Sequence, residues 1–274
     1  MNQYQHLELR RDGATLVVTM TNPPKHLLNA TMVEGLRAIA ESLSHDDEVR
    51  VLVLTGAADG AFITHYDVGE LATLSDVARS RPGVGEGREL HAMHRLLLAL
   101  QAMPQPVIAA INGTAMGGGC ELALACDFRY MARGGAQTGG RPAVIGLPEV
   151  RVGILPGAGG TQRMTRLLGT AKAMELMLLG DTVDADTAER IGLVHRALPP
   201  AELMPRVMEL AAELAKRPPL SLALIKQCVW RGSEMPLDDA LHFEQDAFWQ
   251  TMRSENAGRL MRAHLASERP LDEQ

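Results

Sequence analysis

The chain has 274 residues, 46% of them hydrophobic, and a net charge of −6. Its length and apolar content suffice for a large buried core, its acidic balance lacks the basic face of a nucleic-acid-binding protein, and no segment is apolar long enough to span a membrane. Cys120, Cys126 and Cys228 have neither metal-ligand nor disulfide spacing; reduced thiols, and a start without the apolar stretch of a signal peptide, predict a cytoplasmic protein.

In chain order, Leu7 to Thr21 predicts a hairpin around Asp12-Gly13. Asn22-Pro23-Pro24 ends it, and a loop from Lys25 to Ala30 leads to a helix whose Thr31-x-x-Glu34 start reads as a capping box. Arg50 to Gly56 is a continuous apolar run, the pattern of a strand buried on both faces. Asp67-x-x-Glu70 marks another helix start, and the polar residues from Ser75 to Gly87 predict a surface loop. Arg88 to Leu100 returns to a helical period, stopped by Pro104 and Pro106.

Pro106 to Asp127 is the stretch around which the rest is organised. Val107 to Ile111 predicts a buried strand, Asn112-Gly113 a turn, and Gly117-Gly118-Gly119 a bare backbone entry to an apolar helix. Consecutive glycines ahead of a helix let N–H groups approach an oxyanion without interference from Cβ, where the helix dipole also favours negative charge. Glu121 is the only formally charged residue between Arg95 and Asp127. An unpaired carboxylate among Cys120, Leu122 and Ala123 would cost several kcal/mol or become protonated. Two readings stay open on these residues alone: a working carboxylate, or a first-turn Glu favoured by the dipole.

Phe128 to Ala132 predicts a strand, Arg133 to Ile145 a Gly-rich loop, and Ile154 to Thr161 a Gly-rich entry to a helix ending at Gly169. Further helices follow at Ala171 to Leu179 and Ala185 to Ile191, and from Pro200 onward the pattern is helical only. Glu149 follows Pro148, whose fixed φ holds it on an ordered turn among Ile145, Leu147 and Val150. It reads either as a second buried carboxylate or as a surface acid pairing with Arg151.

Three motifs in order, A-M-G-G-G-C-E-L-A-L-A-C-D at Ala115 to Asp127, G-L-P-E-V at Gly146 to Val150 and G-I-L-P-G-A-G-G-T-Q-R at Gly153 to Arg163, resemble the enoyl-CoA hydratase/isomerase (crotonase) superfamily. The resemblance implies an α/β fold: a crotonase-type spiral of repeated ββα units over residues 1–199, with an all-helical trimerisation region over residues 200–274. It also implies homotrimers or stacked homohexamers, an acyl-CoA substrate, and no metal or redox cofactor, coenzyme A being part of the thioester. Glu121 and Glu149 match the two catalytic glutamates of the hydratases, and Gly118 and Tyr66 the two backbone donors of the oxyanion hole. Lys25, His26, Thr64, His65 and Arg269 fall at substrate- or CoA-binding positions, Arg269 matching a Lys that reaches a neighbouring subunit's CoA.

The activity so implied is hydration of a 2-enoyl-CoA to a 3-hydroxyacyl-CoA. Enoyl isomerisation, carbon–carbon bond hydrolysis and acyl-CoA binding with little turnover are the alternatives. Double-bond isomerases usually lack the counterpart of Glu121, and dienoyl-CoA isomerases and 3-hydroxyisobutyryl-CoA hydrolases commonly carry Asp where this chain has Gly157. The chain departs from the family's A-G-x-D turn with Thr64-His65-Tyr66-Asp67, has Gly69 where Lys is frequent, and lengthens the loop from Thr138 to Ile145. A His in place of Gly would distort the turn if positive φ were required there.

Overall fold

The structure, a computed structural model, describes residues 4–57, 60–81, 83–134, 142–267 and 270. The chain forms two compact units, residues 1–215 and 216–274.

The first unit opens with the expected hairpin, β1 (Leu7–Asp12) and β2 (Thr15–Met20), paired antiparallel across a turn in which Gly13 has φ +58°. Helix α1 (Ala30–Leu43) follows, and its cap differs from the expected box: the Asn29 side chain accepts the Met32 N–H at 2.9 Å. Asn29 is as good a cap as Thr31 and lies one residue before the helix.

Two strands and a helix then recur. Strand β3 (Val51–Gly56) is followed by β4 (Gly60–Ile63) and helices α2 (Val68–Ser80) and α3 (Ala92–Ala102). Strand β5 (Val107–Ile111) is followed by β6 (Gly113–Met116) and α4 (Gly118–Leu124), and β7 (Phe128–Ala132) by β8 (Val144–Gly146). A 3-10 turn over Glu149–Val152 leads to α5 (Gly160–Leu168), α6 (Thr170–Leu179), β9 (Thr182–Asp184), α7 (Ala185–Arg190), β10 (Arg196–Leu198) and α8 (Pro200–Lys216). From β3 to β8, successive strands alternate between two sheets. One runs β1-β2-β3-β5-β7-β10 and is parallel apart from the hairpin; the other runs β4-β6-β8-β9 and is parallel apart from β8-β9. The chain therefore winds as a spiral, the α/β architecture expected from the sequence.

Gly113 begins β6 rather than sitting in a turn. The chain crosses between sheets at Asn112, whose side chain holds both the N–H and the C=O of Gly56 at 3.0 Å. A Cβ on Gly113 would lie 1.8 Å from the Gly60 carbonyl carbon, so only glycine permits this approach.

Strand β3 is buried along its length, as its unbroken apolar run requires. Leu52 and Leu54 pack with α1 and α3 in the larger core, whereas Val51 and Val53 pack with Ile108, Ala110 and the α8 residues Leu203, Val207 and Ala211. Helix α8 thus covers the far face of the six-stranded sheet, and the first unit continues past residue 199 because that face must be buried. The expected loop from Ser75 is helical to Ser80, the polar end of a helix that buries no residue.

The second unit contains α9 (Pro219–Gly232), α10 (Leu237–Met252) and α11 (Glu255–Leu265), the last capped by Ser254 accepting the Ala257 N–H. The Arg231 guanidinium lies 4.8 Å from the Phe243 ring centroid. No helix among the described residues is long and apolar enough to cross a membrane.

Candidate active site

A cleft of about 580 Å³ opens in the first unit, with Glu121, Glu149, Tyr66, Gly118 and His65 among its walls. Apolar side chains of α2, Val68, Leu71 and Leu74, line another side. Residues dispersed over some eighty positions of sequence meet because β4, β6 and β8 are neighbours in one sheet and their ends carry the Thr64–Asp67 turn, the Gly117–Glu121 helix entry and the Pro148–Glu149 turn.

Glu121 is 4% exposed. Its Oε1 accepts the Ala158 N–H at 2.7 Å and the Gly160 N–H at 2.8 Å. Burial pushes its pKa up, while those two bonds and the nearby Arg163 and His91 act the other way. Gly160 is closed in by this arrangement: an added Cβ would lie 2.9 Å from Glu121 Oε1 and 2.8 Å from Leu147 Cδ1. The loop that supplies the two donors is itself tied down. Arg163 donates to the Ala158 carbonyl at 3.0 Å, and the His91 ring Nε2 lies 2.8 Å from the Gly157 carbonyl oxygen.

Glu149 is half-buried, and its Oε2 is buried without a hydrogen-bond partner. Burial, with a smaller contribution from the Glu121 carboxyl, pushes its pKa up to about 7. The salt link to Arg151 does not form; Arg151 pairs instead with Asp181 at 3.4 Å. Gly117, with φ +52°, separates the acid from the Thr64–Asp67 turn, since a Cβ there would lie 3.2 Å from Glu149 Oε1 and 3.9 Å from His65 Cβ.

Gly118 is the first residue of α4, so its N–H has no carbonyl in the helix to bond. Tyr66 packs against it, the Tyr66 Cβ lying 3.3 Å from where a Gly118 Cβ would be. Around Tyr66, Leu28 N–H donates to the His65 carbonyl at 2.9 Å and Asp67 N–H to the Leu28 carbonyl at 2.8 Å, leaving the Tyr66 N–H without a partner. His65 does not adopt positive φ, so the turn accepts its side chain without strain. The Tyr66 hydroxyl donates to Glu70 Oε2 at 2.9 Å, and that oxygen also accepts the Ala30 N–H at 3.0 Å. Burial and this carboxylate push the phenol pKa up, which keeps it a neutral donor.

Lys25, His26 and Thr64 run beside the cleft rather than in its wall. Lys25 is exposed, and His26 holds φ +52° with its Nδ1 buried and without a partner. Thr64 spends both backbone groups on the fold, donating to the His26 carbonyl at 3.0 Å and accepting the Met116 N–H at 3.2 Å. Arg269, and the loop residues 138–141, lie outside the described residues. Ala158, Gly160 and His91 are the participants that sequence reasoning missed; the first two act through backbone N–H groups, which leave no mark in the sequence beyond the neighbouring glycines.

A spiral of strand–strand–helix turns that brings two carboxyls and two unbonded N–H groups to one cleft defines a crotonase-type scaffold. The sequence profile of the Enoyl-CoA hydratase/isomerase family matches residues 10–268. The short-chain-enoyl-CoA hydratase of Clostridium acetobutylicum is 35% identical over 260 residues, 94% of this chain and 93% of that protein. The crotonyl-CoA hydratase of Syntrophomonas wolfei is 36% identical over 248 residues, 89% of each. The crystal structure of an enoyl-CoA hydratase from Bacillus anthracis superposes with a TM-score of 0.85 at 30% identity, covering 97% of this chain and 98% of that one. The chain belongs to the enoyl-CoA hydratase/isomerase family.

Proposed function

We propose that this enzyme is an enoyl-CoA hydratase, adding water syn across the double bond of a 2-enoyl-CoA thioester to give a 3-hydroxyacyl-CoA. The observation that carries this reading is one cleft lined by Glu121 and Glu149 together with Tyr66 and Gly118, whose N–H groups are unbonded. Attack of water at Cβ builds enolate charge on the thioester oxygen, and each preorganised N–H aimed at that oxygen stabilises it by roughly 3 kcal/mol. Glu121, its Oε1 fixed by two backbone N–H groups, uses its other oxygen to take a proton from the water. The hydroxyl joins Cβ, and Glu149, whose raised pKa of about 7 leaves a large protonated fraction near neutral pH, delivers its proton to Cα. The proton removed from water then remains on Glu121, so the pair keeps one proton throughout.

Coenzyme A enters as part of the substrate, along the Lys25–His26 and Thr64 side of the cleft, with Arg269 reaching a neighbouring subunit's CoA. The apolar α2 wall of Val68, Leu71 and Leu74 suits an acyl chain. Assembly of this cytoplasmic protein as a homotrimer or homohexamer belongs to the same reading, and the exposed Ile225, Val229, Leu237, Leu241 and Phe248 of the second unit favour it.

The test is the loss of conjugated-thioester absorbance from crotonyl-CoA. Rapid loss by the wild type, with falls of at least roughly a hundredfold in Glu121→Ala and Glu149→Ala, supports hydration by the pair. A folded wild type that binds CoA esters without consuming crotonyl-CoA sinks the reading.

A further inference from the structure

The Thr64–Asp67 turn carries two peptide units whose four polar groups can be accounted for. The His65 carbonyl accepts from Leu28, and the Asp67 N–H donates to the Leu28 carbonyl. The Tyr66 carbonyl lies 2.7 Å from Nδ1 of the His65 ring. A carbonyl only accepts, so Nδ1 carries the proton and donates. Three of the four groups are thereby fixed, and the fourth, the Tyr66 N–H, is left unbonded on a residue that lines the cleft. Leu28 holds the turn from outside through both of its backbone groups; the His65 ring is the remaining tether, and a side chain supplies it.

Gly117 lies between the His65 side chain and Glu149: a Cβ on it would lie 3.9 Å from His65 Cβ and 3.2 Å from Glu149 Oε1. Yet no hydrogen bond joins them: Glu149 Oε2 has no partner, and the ring's bond runs to the backbone. A proton relay from His65 to Glu149 is therefore disfavoured, and a mechanical role is left.

We propose that His65 is a positioning residue, its Nδ1–H bond to the Tyr66 carbonyl fixing the plane of the peptides on which the Tyr66 N–H is aimed at the thioester oxygen. This rests on the reading of Tyr66 as an oxyanion donor. A donor is effective only if it meets the charge that develops in the transition state, so loosening it lowers kcat while ground-state binding survives.

The test compares His65→Ala, which removes the ring, with His65→Asn, whose Nδ2–H branches from Cγ as Nδ1 does. His65→Phe, a ring without a donor, stands in should the alanine variant fail to fold. Each is assayed for hydration of crotonyl-CoA across pH and for binding of butyryl-CoA, a saturated thioester that cannot react. The ringless or donorless variant should lose about tenfold or more in kcat, from a misaimed rather than missing donor. Binding of butyryl-CoA should stay within about threefold of wild type, the alkaline limb of the pH profile should not move, and His65→Asn should recover most of the loss. Full activity without the donor, or an asparagine variant no better than alanine, overturns the proposal; a displaced pH limb overturns it in favour of a relay. A wild type that does not hydrate crotonyl-CoA would instead be a failure of the hydratase reading, so the two are told apart.

Discussion

Glu121 and Glu149 reach one cleft with opposite kinds of support. Glu121 is enclosed, 4% exposed, and answered by two backbone N–H groups from a loop almost forty residues downstream. Glu149 is less enclosed but leaves a buried oxygen with no partner at all. Hydrogen bonds to a carboxylate favour its charged form and fix its direction, whereas an unanswered buried oxygen favours the proton. Burial raises the pKa of both carboxyls, but at Glu121 the two hydrogen bonds from the loop pull against it, so the surroundings separate the pair and favour Glu149 as the one that holds the proton.

The largest effect should come from removing that separation. In Glu149→Gln the acid is lost while the shape remains, and kcat for crotonyl-CoA hydration should fall by roughly a hundredfold to ten-thousandfold. Glu121→Gln should fall comparably, although its amide oxygen can still accept from Ala158 and Gly160. A variant retaining activity near wild type would identify its residue as a spectator.

A smaller loss should follow from disturbing the support alone. Gly160→Ala keeps both glutamates but sets a methyl 2.9 Å from Glu121 Oε1 and 2.8 Å from Leu147 Cδ1. The donor loop must shift, and a displacement near 1 Å corresponds to a loss of roughly tenfold to a hundredfold in kcat. Unchanged kinetics in a folded Gly160→Ala protein would mean that the cradle does not set the position of Glu121.

The pH profile should be gentler still. Hydration requires one proton on the pair, and Glu149 releases its proton at about 7. As pH rises through that value, kcat/KM should decline toward a slope of roughly tenfold per unit. A profile flat to pH 9 would place the proton elsewhere.

Much of this contrast was legible in the sequence, and the illegible part has a physical reason. The unbroken apolar run of β3 and the lone charge of Glu121 in an apolar helix are signals carried by side chains, and both led to the right element. The support was hidden because it comes from backbone: nothing in Ala158 or Gly160 says that their N–H groups point at residue 121. The end of helix α2 was unreadable because the apolar period of Val68, Leu71 and Leu74 gives way to Ser75, Asp76, Arg79 and Ser80, and no residue of the helix is buried. The α1 cap went to Asn29 rather than Thr31 because both satisfy the chemistry and only the chain's path from the Asn22 turn chooses between them.

The smallest effect is on stability, and its sign follows from the unanswered oxygen of Glu149. The folded-state pKa of about 7 lies above the ordinary value of 4.5, so folding favours the protonated acid. That contribution is complete below about 4.5 and is lost as pH rises through about 7, where the folded protein must hold a carboxylate that its surroundings do not answer. Glu149→Gln removes the liability without removing volume. Its Tm should therefore exceed that of the wild type by about 2–4 °C at pH 8, a partly solvated group yielding less than a fully buried one, and the gap should close near pH 5. A gap of the same size at both pH values would trace the gain to packing instead of charge, and the contrast between the two glutamates would lose its electrostatic half. A gap confined to alkaline pH would mean that the fold bears a stability cost at the residue whose raised pKa the proposed chemistry uses.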